Sequence, residues 1–536
     1  MKKTLLALAT AAAVPVGVMA QSAVDAYTLS QTDQRGTARF MSMGGAFTAL
    51  GGDLSTLNQN PAGIGVYRRS EIGATLDISP RRITSETPDT KIGINKTKAY
   101  CNNFGYVGTA RLAGPLRTFS WGVTYNRVAS FDRVFDAYTN PSPSSVSDYI
   151  ASYTSNAGYN ASNMEFTDSY NPYTNPDLDW LSILAYSSYM INPTSNNRYV
   201  GLTQNGTVSD SYSQVRESGY VDEYAIDFGG NISDVVYWGI GFGITDLSYN
   251  ITSYYSESLA DARIVADNHG SQGLTTGNAG IELNNFRSIS GSGWNFKAGV
   301  IIKPIQQLRI GLAVHTPTWY NMSQSAYAEA NYSYYNPAVG EGEHNPLKGN
   351  DYTDDSYYNF RINSPWKLMV GAAAVIGNSA IVSLDYERQA YGDMSLSYQD
   401  NWGNYVKDDY VNDDIKNYFK ATDIIRLGLE YRISSQVSVR AGYNHATTNV
   451  KSEAAEGAVE IITAGTNPAY TFNRDVNAVS LGLGYRYKAF YVDAAYVYRK
   501  KTSTYHAYTA FNNVKAPTAQ LTETDNNIVL SVGFKF

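Results

Sequence analysis

Apolar and polar residues alternate strictly along much of this chain, down to its last residue. At the C-terminus Ile528, Leu530, Val532, Phe534 and Phe536 share one side of a strand, and Val529, Ser531, Gly533 and Lys535 share the other, because successive strand side chains point to opposite faces. The same pattern sets Val479, Leu481, Leu483 and Tyr485 against Ser480, Gly482, Gly484 and Arg486. It sets Ile425, Leu427, Leu429 and Tyr431 against Arg426, Gly428, Glu430 and Arg432, and it recurs at Phe119–Tyr125 and Leu308–Val314. Fourteen such segments begin near Glu71, Tyr100, Leu116, Tyr220, Val235, Phe286, Gln306, Tyr358, Ser379, Thr422, Gln436, Arg474, Phe490 and Asp525. Six of their connections are tight, around Gly114-Pro115, Ser233-Asp234, Pro304-Ile305, Gly377-Asn378, Ser434-Ser435 and Lys488-Ala489. The seven between these are long and polar, the longest running from about Asp132 to Ser218.

Short turns on one rim and long loops on the other are the layout of bacterial outer-membrane barrels, and an even strand count brings both chain ends to the periplasmic side. A soluble sandwich or repeat protein fits less well. Every strand would expose an apolar face with no second sheet to cover it, and no fixed repeat length is present. The pattern therefore predicts an all-β protein: a transmembrane, antiparallel, up-and-down barrel over residues 70–536, with lipid outside, a polar lumen inside and long extracellular loops.

The alternation is absent before Ser70. Residues 1–20 read as a signal peptide: Lys2 and Lys3 form the charged start, Leu5 to Val18 the apolar stretch, and Val18-Met19-Ala20 a small-residue cleavage site, with removal after Ala20. Residues 21–69 combine glycines (Gly36, Gly44, Gly45, Gly51, Gly52, Gly63) with apolar side chains such as Phe40, Met41, Phe47, Leu50, Leu54 and Leu57. A mobile tail would expose those side chains, so the segment is expected to fold as a compact plug inside the lumen. The small inward residues Gly239, Gly241, Gly243, Gly428, Gly482 and Gly484 leave it room.

Composition narrows the classes further. No apolar run beyond the signal peptide is long enough to cross a bilayer as a helix, and the mean hydropathy is −0.31. The 45 tyrosines suit a chain that crosses two membrane interfaces, where the amphipathic ring is favoured. A net charge of −7 argues against nucleic acid, and the single Cys101 excludes an internal disulfide framework.

The stretch Gly36 to Gly65, with Asn60-Pro61-Ala62-Gly63 just ahead of the first strand, resembles the N-terminal hatch of the FadL/TodX family of hydrophobic-compound transporters. The terminal Phe536, of a kind the barrel-assembly machinery reads, is also similar. The resemblance implies passive uptake of long-chain fatty acids or aromatic hydrocarbons. Ligand would pass from the surface loops to a lumen site bounded by the hatch, then leave sideways into outer-membrane lipid through a kinked third strand. By resemblance Asn60, Pro61, Ala62 and Gly63 form the hatch turn facing that strand, here Leu116 to Phe131, and Phe40 and Phe47 belong to the same gating segment. That strand carries no proline or bulge signature. In the second loop Trp180, Leu181 and Leu184 form an apolar cluster that is either a ligand groove or packing for the loop.

No catalytic constellation and no metal or cofactor site is expected. His269, His315, His344, His445 and His506 lack ligand spacing, and no phosphate loop or nucleophile elbow is present. Asp408-Asp409 and Asp413-Asp414 read as a solvated loop or a loose Ca²⁺ site. Inward charges such as Arg426, Glu430, Arg440, Glu387, Asp493 and Arg499 read as a path for an anionic headgroup or as a salt-bridged wall. Two other functions stay open: a docking protein that holds a secretion or surface-protein partner on its extracellular loops, and, with less support, a hemin receptor.

Overall fold

The computed structural model describes residues 21–265, 274–337, 347–377, 379–400 and 402–536. The signal peptide with its cleavage site after Ala20, His269, His344 and Asn378 lie outside the described residues. Fourteen strands form the wall: β1 (Glu71–Glu86), β2 (Lys91–Arg111), β3 (Leu116–Ser130), β4 (Val208–Ile232), β5 (Val236–Val265), β6 (Leu274–Ile305), β7 (Leu308–His315), β8 (Lys367–Ile376), β9 (Ala380–Gln389), β10 (Thr422–Arg432), β11 (Val437–Ala446), β12 (Tyr470–Tyr487), β13 (Phe490–His506) and β14 (Thr518–Lys535). Each pairs antiparallel with the next, and β14 pairs with β1 from Glu71↔Lys535 to Glu86↔Gln520, which closes the barrel. Closure leaves no open sheet edge in the hydrocarbon layer.

The alternation sorts the side chains as the pattern demands. Leu76, Ile78, Leu481, Leu483, Ile528 and Leu530 are exposed on the outside, whereas Thr75, Asp77, Ser480, Asn527 and Ser531 are buried on the inside. An apolar exterior around a polar interior is stable only with lipid outside, so the barrel spans a membrane.

The strands run further outward than the alternation suggests. β4, β5 and β6 have 25, 30 and 32 residues, against roughly 10 needed to cross the hydrocarbon layer. Above that layer both faces become polar, so the periodic signal fades although the hydrogen-bond ladder continues. Part of each expected loop is therefore strand. The wall also continues upward in Trp319–Tyr335, paired with β6, and in Ser356–Asn363, paired with Trp319–Tyr335.

The second loop is a folded cap. Strand Arg133–Thr139 pairs with β4, and two further segments are helical, Val146–Ala157 and Trp180–Ser187. Their side chains Tyr149, Ile150, Leu181, Ile183 and Leu184 share one core with Tyr255, Leu259, Ile281 and Leu283 from the outer ends of β5 and β6. Asp179 caps the second helix, accepting from Ser182 N at 2.9 Å, and burial pushes its carboxyl up to about 6 from the ordinary value of 3.8. The folded loop therefore holds the proton more tightly than the unfolded chain. Its added stability is complete below the lower value and is lost as pH rises through the upper one. Amide exchange across Trp180–Ser187, corrected for intrinsic rate, should slow as pH falls from about 7 to about 5. Equal protection at both pH values would remove Asp179 as the cause.

Candidate functional site

The N-terminal segment lies within the ring of strands. Its helix α1 (Ala23–Leu29) packs at the outer end of the barrel: Tyr27 stacks on Phe419 of an outer loop at 4.8 Å and meets Phe472 of β12 edge-on at 5.6 Å. Further in, α2 (Ala38–Ser42) buries Phe40 and Met41 with Phe47, Ala478, Ala495 and Val529. Deeper still, α3 (Thr56–Gln59) leads into a 3-10 turn, Pro61–Val66.

Glycine permits the close fit from both sides. Gly44 has φ +63°, and a side chain there would run into the backbone of Tyr443 and Leu427. From the wall, Gly239 faces the Pro61 carbonyl, Gly428 faces Met43 and Gly482 faces Ser42. Gly241, Gly243 and Gly484 instead leave room for wall carboxylates: Asp227, Glu223 and Asp493. Polar ties add to the fit. Ala38 N donates to Ser531 Oγ at 2.7 Å, Thr48 N to Asp385 Oδ2 at 2.7 Å, Arg39 Nε to Glu430 Oε2 at 2.9 Å and Arg309 Nη1 to the Leu50 carbonyl at 2.6 Å.

Asn60, Pro61, Ala62 and Gly63 are fully buried in this contact. Asn60 accepts from Ala62 N at 3.0 Å, and its amide donates to the Thr48 carbonyl at 2.7 Å and the Leu312 carbonyl at 3.4 Å. The turn packs chiefly on β5 and β4, then β6; β3 is met mainly by Leu57 and Ile64, at Gly122. The turn therefore faces β5 and β4 more than β3, the strand that the resemblance implied.

Above the segment lies a cavity of about 280 Å³, bounded by residues 27–35 and Phe40 on one side and by inward wall residues on the other. Of the six hatch residues singled out in the sequence, Phe40 alone lines it; Phe47 sits beneath, 5.4 Å from Phe40, with the Arg39 guanidinium 5.2 Å from its ring. Leu181 and Leu184 are buried in the cap, so packing is their role. Trp180 is half-buried, borders a second cavity of about 100 Å³ and donates from its indole to the Tyr173 carbonyl at 3.2 Å.

Tyr27, Leu29, Phe40, Phe131 and Met369 give the larger cavity an apolar part, but ten Lys or Arg side chains line it against five Asp or Glu. Most are paired: Lys297 with Glu223, Arg426 with Glu387, Arg133 with Glu217 and Arg499 with Asp33. Lys367 and Arg474 make no ion pair among the described residues. The Arg474 Nε donates only to Thr504 Oγ1, at 3.2 Å. The inward charges named from the sequence are paired in this way, as a salt-bridged wall. Arg499, Arg426 and Glu387 are legible as inward charges, whereas Lys367 opens β8 and Arg474 sits where the register of β12 shifts, between Asn473 and Val476. His315 is held by the segment, with Nε2 2.9 Å from the Gln59 carbonyl.

The wall is interrupted beside the cavity. β3 has a bulge at Val128, which the sequence did not signal, and Arg127–Phe131 line the cavity there. Asp33 N donates to the Val128 carbonyl at 2.9 Å, so the N-terminal segment pairs where β2 has left off.

A closed antiparallel barrel, apolar outside and with its own N-terminal segment packed against the inner wall, defines a transmembrane β-barrel. No family model matches the sequence, and no curated protein does. Among solved structures the chain is similar to a Pseudomonas aeruginosa FadL homologue, at 13% identity over 97% of this chain and 100% of that chain, with a TM-score of 0.49. It is similar also to the Pseudomonas putida toluene transporter TodX, at 13% identity over 94% and 99% with a TM-score of 0.47. For the Ralstonia pickettii toluene transporter TbuX the values are 14%, 95%, 100% and 0.39. The barrel itself rests on its own strand pairings.

Proposed function

We propose that this protein is a channel of the Gram-negative outer membrane for passive uptake of hydrophobic small molecules of the long-chain fatty-acid class. The observation that carries the reading is the lumen cavity, apolar along one part and carrying unpaired Lys367 and Arg474 in another. Lys367 is half-buried, and a cation left without an ion pair in a lipid-surrounded lumen is costly; an anionic headgroup offsets that cost, and the exposed Arg474 adds attraction. The chain of such a molecule gains roughly 0.8 kcal/mol for each methylene that leaves water. An aromatic hydrocarbon satisfies neither cation.

In this reading the ligand passes from the outer loops to the cavity, residues 21–69 act as the hatch, and the bulged end of β3 is the place of lateral exit into lipid. Phe536 serves the barrel-assembly machinery. The docking alternative draws no support from the second loop, which spends Leu181 and Leu184 on its own core. A hemin site is not favoured by the described histidines: His315 is held by Gln59, His445 lies 2.9 Å from Asn477 Oδ1, and His506 stacks on Tyr470.

The test is uptake of radiolabelled hexadecanoate and of toluene by a host lacking its own fatty-acid channel. Joint replacement Lys367→Met and Arg474→Met should lower hexadecanoate uptake by about tenfold or more, as expected for lost charged hydrogen bonds, and leave toluene unaffected. Hexadecanoate uptake that ignores the double replacement would sink the assignment.

A further inference from the structure

The wall gap beside the cavity is closed by side chains from both of its edges. The last ladder pair between β2 and β3 is Asn103↔Asn126. Beyond it Asn102 bulges from β2 and Val128 from β3, while β2 stays paired with β1 out to Lys91 and β3 with β4 out to Ser130. The neighbouring outward residues Leu76 and Ile78 face lipid, so the gap opens at the outer part of the apolar belt.

Across the gap, Asp132 gathers donors from the opposite edge. Tyr100 Oη donates to Asp132 Oδ2 at 3.0 Å, and the Lys96 and Lys98 ammonium groups lie 3.4 and 3.3 Å from Oδ1. Arg81 donates to the Asp132 backbone carbonyl, and Ser130 Oγ donates to Tyr100 Oη at 3.1 Å.

The N-terminal segment reaches the same point. The Arg35 guanidinium lies 4.5 Å from the centre of the Tyr100 ring, with Nη1 donating to Asp77 Oδ2 at 3.3 Å and to Asn102 Oδ1 at 3.2 Å. Arg127 of β3 is 5.6 Å from the same ring, and both arginines line the cavity.

We propose that Asp132 and Tyr100 form the latch of the lateral gate, and that Arg35 couples the latch to ligand in the cavity. The proposal rests on the uptake reading. Nothing in the ladder holds β2 to β3 at this height, so a few side-chain bonds govern whether the gap admits an alkyl chain. A ligand that displaces residues 31–35 withdraws Arg35 from Tyr100 and Asn102 and loosens the tie from inside.

Tyr100→Phe keeps the ring and removes the hydroxyl bond; Asp132→Asn removes the charge. In purified protein in lipid nanodiscs, a solvatochromic fluorophore on Cys101, the single cysteine and the lipid-facing neighbour of Tyr100, reads hydration of the gap. In cells, hexadecanoate uptake reads transfer. Both variants should shift the Cys101 emission to the red and raise uptake by about tenfold, the effect of one charged hydrogen bond on an opening equilibrium. Unchanged emission in both folded variants overturns the latch, whatever the uptake. A red shift in a protein that takes up no hexadecanoate supports the latch and overturns the uptake reading.

Discussion

Replacing Gly239 with leucine should unseat the N-terminal segment while leaving the barrel intact. Gly239 lies on β5 between Gly229 of β4 and Gly299 of β6, and even a Cβ there would overlap the Pro61 carbonyl and the Ala62 amide. The neighbouring Gly299 is filled in the same way by the Asn60 side chain, so the Pro61 turn has no free direction in which to yield locally. Overpacking of this kind costs about 1–3 kcal/mol. Displacing the turn adds the loss of the bonds by which the buried Asn60 amide is satisfied, to the Thr48 and Leu312 carbonyls. The barrel is not exposed to the same penalty, since its hydrogen bonds run strand to strand and the segment contributes none to the β5 ladder. In a planar bilayer the wild type should pass little current and Gly239→Leu should show stable porin-like openings, with heat-modifiable gel migration confirming a folded barrel. A folded Gly239→Leu barrel that stays closed would mean the turn is not what holds the segment in place.

The barrel was legible because a membrane imposes a two-residue period that no competing interaction overrides. Expected starts near Glu71, Leu116, Thr422 and Phe490 coincide with β1, β3, β10 and β13. Where lipid ends the period ends too, and so β4 begins at Val208 rather than Tyr220, and β6 at Leu274 rather than Phe286. The run expected from Tyr358 is divided, with Ser356–Asn363 above and β8 starting only at Lys367, because the chain leaves the wall at Ser364 and returns after Trp366. The lumen was less legible. Alternation places Arg499 inside, but its 2.6 Å pairing with Asp33 joins residues 466 positions apart, and no local pattern encodes that distance. The bulge at Val128 was hidden for a related reason: the partner that its carbonyl finds is Asp33 N, far from β3 in the chain.

The other large effect is expected at Glu430. This β10 carboxylate is almost fully buried and serves two cations, accepting from Arg39 Nε of the N-terminal segment at 2.9 Å and from Arg440 Nε of β11 at 2.7 Å. Arg440 also donates to Asp493 at 2.6 Å and so keeps a partner if Glu430 is lost. Arg39 has no second ion pair among the described residues; the Phe47 ring stands 5.2 Å from it, and Asp53 and Asp493 attract it only from beyond ion-pair distance. In Glu430→Gln the cost therefore falls on the segment. Breaking a buried pair from one side costs about 3–5 kcal/mol, because the remaining charge is left uncompensated. Amides of residues 36–66 should exchange on the order of 10²–10³ times faster, the same free energy expressed as an opening constant. Amides of β10 and β11 should stay protected, since their ladder from Ile424↔Ala446 to Arg432↔Ser438 is untouched. Adding Arg39→Met removes the stranded charge and should restore most of the protection, whereas a merely additive loss would show that Arg39 packs rather than pairs. The sign of that double replacement distinguishes a segment held by charge from one held by fit. The glycine contacts predict that fit alone retains it once the orphaned guanidinium is gone.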